Sequence, residues 1–248
     1  MSKNNIKNTI LICFLLFLVS KSHAQIHVGI TTQFGVSSMN INDAGLSYNG
    51  EIEPKRSYAI GVVASVPVKK WLNAETGLVF QNLGFAQSKT KYTNDVVNIH
   101  YLNIPVNARL NLSKASRRTK FYFKTGLYAG IAVGGNLKLS SNFVPATEIN
   151  QVPDPAKIIN VTETRKLGIG NNPTTDFARR FDAGFNIGLG MDMKRFLFGF
   201  NIQKGFANIE TKGDNQNSMK NFVMGYYLSY LILRGNTKKS YYYRTIIR

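Results

Sequence analysis

From Phe181 to Met193 every odd position is apolar and every even position is Asp, Gly or Asn. Side chains of a β-strand alternate between two faces, whereas an amphipathic helix repeats every 3.6 residues, so this run specifies a strand with one apolar and one polar face. The next segment repeats the pattern: Phe196, Phe198, Phe200 and Ile202 alternate with Leu197, Gly199, Asn201 and Gln203.

Six further segments alternate in the same way, over 26–35, 57–66, 72–81, 100–111, 120–133 and 222–232. Together they predict eight strands. The connections between them alternate in length. Those at Lys69-Lys70, Lys114 to Arg118 and Lys194-Arg195 are short, and those at about 37–56, 85–97, 135–180 and 210–220 are long and polar. An even number of strands joined by alternating tight turns and extended loops is how outer-membrane barrels are built, with the turns and both termini in the periplasm. The segment Ile158 to Thr162, inside the loop 135–180, is a further β-pattern that would extend the wall or add a hairpin, giving ten strands.

The two faces differ in size as well as polarity. Seven phenylalanines, Phe121, Phe123, Phe181, Phe185, Phe196, Phe198 and Phe200, lie on the apolar faces. The opposite faces hold Gly77, Gly126, Gly130, Gly184, Gly188 and Gly190 together with charges of both signs. An eight-stranded lumen is only wide enough for packed side chains, so phenylalanines belong outside and glycines inside. Closure of the sheet pairs every strand edge, which hydrocarbon demands. The expected fold is therefore an all-β, antiparallel up-and-down transmembrane β-barrel. Its polar interior makes Glu75, Arg109, Lys120, Lys124, Asp182 and Asp192 a candidate lumen network, and Lys204 is a further candidate for the same lining.

The N-terminus accounts for delivery to that membrane. Lys3 and Lys7 precede an apolar run from Ile10 to Val19, and Ser22-His23-Ala24 offers small residues at the cleavage positions. This is the layout of a secretory signal peptide over 1–24; ten apolar residues are too few to span a bilayer as a helix, which takes about 20. The expected organisation is then a barrel over 25–234 and a basic, Tyr-rich tail over 235–248. The lone cysteine, Cys13, leaves with the signal, so the mature chain forms no disulfide. The net charge falls from +18 to +15 once Lys3, Lys7 and Lys21 are removed. For an exported chain without a nucleic-acid-binding motif, the counter-charges are outer-membrane lipid and lipopolysaccharide rather than nucleic acid.

Three stretches carry a resemblance to a known family: Tyr101-Leu102-Asn103-Ile104-Pro105-Val106, the Gly- and Tyr-containing strand from Phe123 to Gly130, and the glycine-repeat strand from Asp182 to Asp192. Over nearly the whole mature chain the sequence resembles the PorT-like outer-membrane β-barrel proteins of Bacteroidetes. The resemblance implies an integral outer-membrane protein without catalytic residues, with some relatives tied to gliding or type IX secretion. Gly225, Leu228 and Tyr230 also resemble the signal read by the barrel-assembly machinery, although Arg234 to Arg248 continues beyond it. That extension points to a periplasmic contact.

Catalytic chemistry finds little support. Eight-stranded lipid A hydrolases pair a histidine with a serine on the lipid-facing wall, and a lipid-modifying enzyme is the alternative function. Here His100 would fall on the outer wall, yet no serine stands two residues away; His27 points inward as an interior polar group. No ligand set for a metal is visible, and no cofactor is expected. Gly184, Gly188 and Gly190 lie inside a strand rather than between strand and helix, so they are not a phosphate loop. The long loop 135–180 is the most plausible functional element. It carries Lys157, Arg165, Lys166, Arg179 and Arg180 as candidate contacts to lipopolysaccharide, or to a secretion or envelope partner.

Overall fold

The structure, a computed structural model, describes residues 26–43, 46–47, 52–90, 93–112, 119–143, 159–211 and 217–234. The expected signal peptide 1–24 with Cys13, the tail 235–248 and Lys157 lie outside the described residues. Eleven β-segments follow one another: β1 (His27–Asp43), β2 (Leu46–Ser47), β3 (Ile52–Glu53), β4 (Lys55–Lys69), β5 (Leu72–Thr90), β6 (Thr93–Asn111), β7 (Thr119–Phe143), β8 (Ile159–Lys166), β9 (Phe181–Met193), β10 (Phe196–Gly205) and β11 (Ser218–Leu233).

Eight of them form the wall. The order β1-β4-β5-β6-β7-β9-β10-β11 closes on itself, because β11 pairs antiparallel with β1 from Val28↔Leu233 to Asn42↔Ser218. The ring therefore has the eight expected strands, and β8 is not a ninth member. It pairs with the upper part of β7, from Asn136↔Lys166 to Phe143↔Ile159. Two hairpins turn tightly at one end, β4–β5 through residues 70–71 and β9–β10 through residues 194–195, where Lys194 adopts the left-handed conformation (φ 58°).

Strand facing follows the alternation. Phe34, Ile60, Ile104, Val106, Leu127, Phe181, Leu189, Phe198, Tyr226 and Leu228 are among the exposed residues of an outward apolar belt. Asn73, Glu75, Gln81, Asn103, Asn107, Arg109, Asp182, Asn186, Asp192, Asn201, Gln203 and Ser229 are buried inside. Apolar residues outside and polar residues inside is the reverse of a soluble β-fold, and it matches a barrel that stands in lipid.

The long-loop end departs from expectation. Residues 85–97 are not a polar loop: β5 and β6 run on to Thr90 and from Thr93, so only residues 91 and 92 separate them. Likewise β1 reaches Asp43 within the expected 37–56 loop, and β7 reaches Phe143 before β8 returns within 135–180. With 19 residues each in β5 and β6 and 25 in β7, these strands far exceed the 9–11 or so needed to cross a bilayer. The excess forms a projecting sheet, β5-β6-β7-β8, joined by β3 at Ile52↔Gln87.

Two irregularities shape this projection. In β7 the register shifts so that Tyr101 pairs with Ala132 but His100 with Gly134, leaving Val133 as a bulge that changes which parity faces inward. In β5 Gly84 has a φ of 137°, a conformation suited to glycine. Above these points the inner face is apolar. Leu83, Phe85, Val97, Ile99, Tyr101, Ala132 and Val223 pack with Ala178 and Ile209 into a core, against which Leu137, Leu167, Ile169 and Phe177 also lie. The segment after β8 enters that core and is held there by backbone hydrogen bonds from Leu167 N to Gly135 O (3.0 Å) and Arg179 N to Ile209 O (2.8 Å). The mouth at this end is filled by a hydrophobic core, not by a solvated loop.

Candidate functional site

Beneath that core, cross-strand pairs of large and absent side chains fill the lumen. Tyr128 stands directly opposite Gly184, Tyr122 opposite Gly190, and Tyr227 opposite Gly199. A methyl group built on Gly190 would lie 2.6 Å from the hydroxyl of Tyr122, and one on Gly199 would lie 2.6 Å from that of Tyr227. Asparagines repeat the device, with Asn103 over Gly130, Asn107 over Gly126 and Asn201 over Gly188. The lumen glycines are thus spaces into which the neighbouring strand's ring or amide folds.

At the short-turn end the hydroxyls of Tyr122 and Tyr227 meet at 2.7 Å, and both rings pack with Leu197 and Leu231. The guanidinium of Arg109 lies 5.2 Å from the Tyr122 ring centre, and the Lys124 ammonium lies 3.9 Å from that of Tyr227. Such cation–π contacts suit charges that have left bulk water. Lys124 also pairs with Glu75 at 3.7 Å, and Asn107 donates to the same carboxylate at 3.4 Å. Asp192 pairs with Arg234 at 3.7 Å and stands across from Lys120 in register.

Asp182 is separate from these groups. It is fully buried below the apolar core, where Tyr128 donates to Oδ2 at 3.1 Å and Asn221 Nδ2 donates to the same oxygen at 2.8 Å. Of the six expected lumen residues, Lys124 pairs with Glu75 beside Arg109, Asp192 pairs with Arg234 and stands in register with Lys120, and Asp182 has neutral donors. Lys204 does not line the lumen. It follows Ile202 on the outward parity of β10 and is exposed.

Between the groups lies a cavity of about 70 Å³ lined by Gln33, Gln81, Asn103, Asn186, Asn201 and Gln203, among others. It has room for about five waters. The amide oxygens of Asn103, Asn107, Asn186 and Asn201, which have no protein partner, belong to this chamber. Among the described residues, aromatic packing lies at one end of the chamber and the apolar core at the other.

A model of the outer membrane protein beta-barrel domain matches residues 20–211, most of the chain. The chain belongs to that family. Among solved structures, this outer-membrane barrel is similar to the attachment invasion locus protein Ail of Yersinia pestis in complex with the heparin analogue sucrose octasulfate. The identity is 9%, over 83% of this chain and 99% of that one, with a TM-score of 0.36. It is also similar to Neisserial surface protein A, at 7% identity over 83% and 97% with a TM-score of 0.39. A third similar structure is the translocator domain of the autotransporter NalP from Neisseria meningitidis, at 10% identity over 92% and 98% with a TM-score of 0.27. No curated protein matches the chain.

On the outer wall of this outer-membrane barrel, His100 stacks on Phe80, with ring centres 5.6 Å apart and planes inclined by 20°. Among the described residues its buried Nδ1 has no hydrogen-bond partner. The arrangement is that of a packed aromatic pair. His27 is buried inside near the short-turn end, as expected. Among the described residues no group of three or more His, Cys, Asp or Glu is placed to hold a metal ion.

Of the candidate loop contacts, Arg165 is engaged with Glu163 through two contacts of 2.8 and 2.9 Å, which hold the Glu163 carboxyl below its usual range. Arg180 donates from Nε to Ile169 O at 3.2 Å. Arg179 is half-buried at the edge of the core, and Lys166 is exposed opposite Asn136. Sequence reasoning missed the polar row that joins Lys55, Asn82, Asn98 and Asn136. Its signal was an asparagine at matching parity on successive strands.

Proposed function

We propose that this outer-membrane barrel is non-enzymatic and non-conducting, and that it acts by binding surface or envelope components through its projecting sheet. The observation that carries this reading is that β5, β6 and β7 continue past the outward apolar belt and pack their own hydrophobic core. A strand that only anchors the chain needs no such extension. The filled lumen supports the same conclusion, since it leaves the projection as the element free to engage a partner.

Envelope organisation and secretion support are the roles this reading favours. They accord with the PorT-like kinship that we infer from Tyr101 to Val106, Phe123 to Gly130 and Asp182 to Asp192. We further infer export by a signal peptide ending at Ala24, insertion by the barrel-assembly machinery through β11, and exposure of the long-loop end to the exterior. Trypsin treatment of intact cells tests the placement on which the reading depends. Cleavage is expected at Arg165 or Lys166 on the exposed β8, with the Lys194-Arg195 turn spared. Cleavage confined to Lys194-Arg195 would put the projection in the periplasm and end the surface-binding reading.

A further inference from the structure

The outward face of the projecting sheet carries a polar row immediately past the apolar belt. The Lys55 ammonium, itself buried, donates to Asn82 Oδ1 at 2.5 Å and to Asn98 Oδ1 at 2.7 Å. Asn98 Nδ2 donates in turn to Asn136 Oδ1 at 2.9 Å, and Asn136 stands directly opposite Lys166 on β8. One step further out, Lys138 is opposite Thr164, and Ser140 lies 3.4 Å from Thr162 through their hydroxyls. The inner partners of these positions, Val97, Ile99 and Leu137, belong to the hydrophobic core, which fixes the row on the outer side.

We propose that this row binds the phosphorylated sugar headgroup of lipopolysaccharide lying in the same leaflet. The proposal rests on the surface-binding reading and names its partner. Three observations point to that occupant. The row begins where Leu102, Ile131 and Val133 end the exposed apolar belt, at the height where a lipid in the outer leaflet presents its headgroup. Among the described residues, no acid faces its exposed cations Lys138 and Lys166 nearby: Asp95 and Glu163 share the other face of the sheet with Leu139. The acid on the outer face that the described residues place in line with Lys138 is Glu53, in register through Ala86 and Val96, three strands and about 14 Å away.

The third observation is the kind of polar group present. Two lysines supply charge to phosphate, while Asn98, Asn136, Ser140, Thr162 and Thr164 supply amides and hydroxyls of the type that hydrogen-bond sugar hydroxyls. The buried Lys55 fixes the oxygen of Asn98 and through it the amide of Asn136, so part of the row is ordered before any ligand arrives.

The test uses the full chain refolded in phosphatidylethanolamine vesicles, with purified lipopolysaccharide as the probe and chemically dephosphorylated lipopolysaccharide as its comparison. Lys138→Ala/Lys166→Ala is expected to weaken binding about ten-fold while heat-modifiable migration shows the barrel intact. Lys138→Arg/Lys166→Arg should bind like the native chain. Lys204→Ala/Lys220→Ala removes outward cations from the β10–β11 wall and should change binding less than about two-fold. The dephosphorylated probe should bind the native chain and the first variant alike. Equal weakening by both alanine pairs would mean diffuse charge attraction and overturn the site. Undiminished binding by the first pair, or no binding by the native chain, would overturn it too. In any of those cases trypsin cleavage at Arg165 or Lys166 on intact cells would leave the broader surface-binding reading standing.

Discussion

Tyr122 and Gly190 face each other across β7 and β9, and the tyrosine ring occupies the volume that any side chain at 190 would need. A residue pair of this kind explains why the polar face of the barrel is written in glycine. Gly190→Ala is therefore predicted to destabilise the folded barrel by about 1–3 kcal/mol through overpacking. Gly134→Ala is the contrast, because nothing lies within 4 Å of a methyl group there. Urea titration of the vesicle-inserted protein should show a clear loss for the first variant and a change near zero for the second.

Glu75 and Lys124 provide a second test of the interior. Both side chains are largely withdrawn from solvent and paired at 3.7 Å. Glu75→Gln leaves the Lys124 charge next to Arg109 without its acid. The predicted cost is about 3 kcal/mol, the scale for breaking a buried ion pair by removing one partner. Adding Lys124→Met to Glu75→Gln should recover part of that loss. A double variant worse than the single one would show that the pair is not coupled.

The wall of the barrel was legible in the sequence because lipid and lumen impose opposite demands on alternate residues. From Phe181 to Ile202 the parity of each residue predicted its facing, and the same parity placed Lys204 outside; only its charge had suggested the lumen. Legibility ended where lipid ended. Beyond the belt the outer face of β5 and β6 no longer has to be apolar, so Asn98 and its neighbours read as loop, although Phe85, Val97 and Ile99 still alternate on the inner side. The bulge at Val133 shifts facing along β7 without any compositional mark. For the charged residues, identity and facing were readable, but register was not. That is why Asp182 was grouped with Arg109 and Lys124, when its partners are Tyr128 and Asn221.

The filled lumen makes a direct prediction about transport. Planar-bilayer recordings of the purified full chain should show no stable single-channel steps, since Tyr122, Tyr227, Leu197 and Leu231 pack across one end and the core around Ile99 and Ala178 fills the other. Steady ion-selective openings would contradict the closed reading and revive a transport role for the cavity between them.

The facing of the wall carries the whole account, and β10 tests it with one strand and one replacement residue. Phe198 is exposed on the outward belt and stacks on Tyr226 with ring centres 6.1 Å apart; Gln203 is buried and lines the lumen cavity with Tyr128. A lysine facing the middle of a bilayer costs about 2–4 kcal/mol. In the lumen a lysine replaces an uncharged chain of similar length, near Asp182, whose side-chain donors among the described residues are the neutral Tyr128 and Asn221. The measurement is the folded fraction of Phe198→Lys and Gln203→Lys in lipid vesicles, read from heat-modifiable migration. A large loss for Phe198→Lys with Gln203→Lys close to the native chain is predicted. Greater damage from Gln203→Lys would mean that the aromatic face is the interior and would contradict the outer-membrane barrel described above.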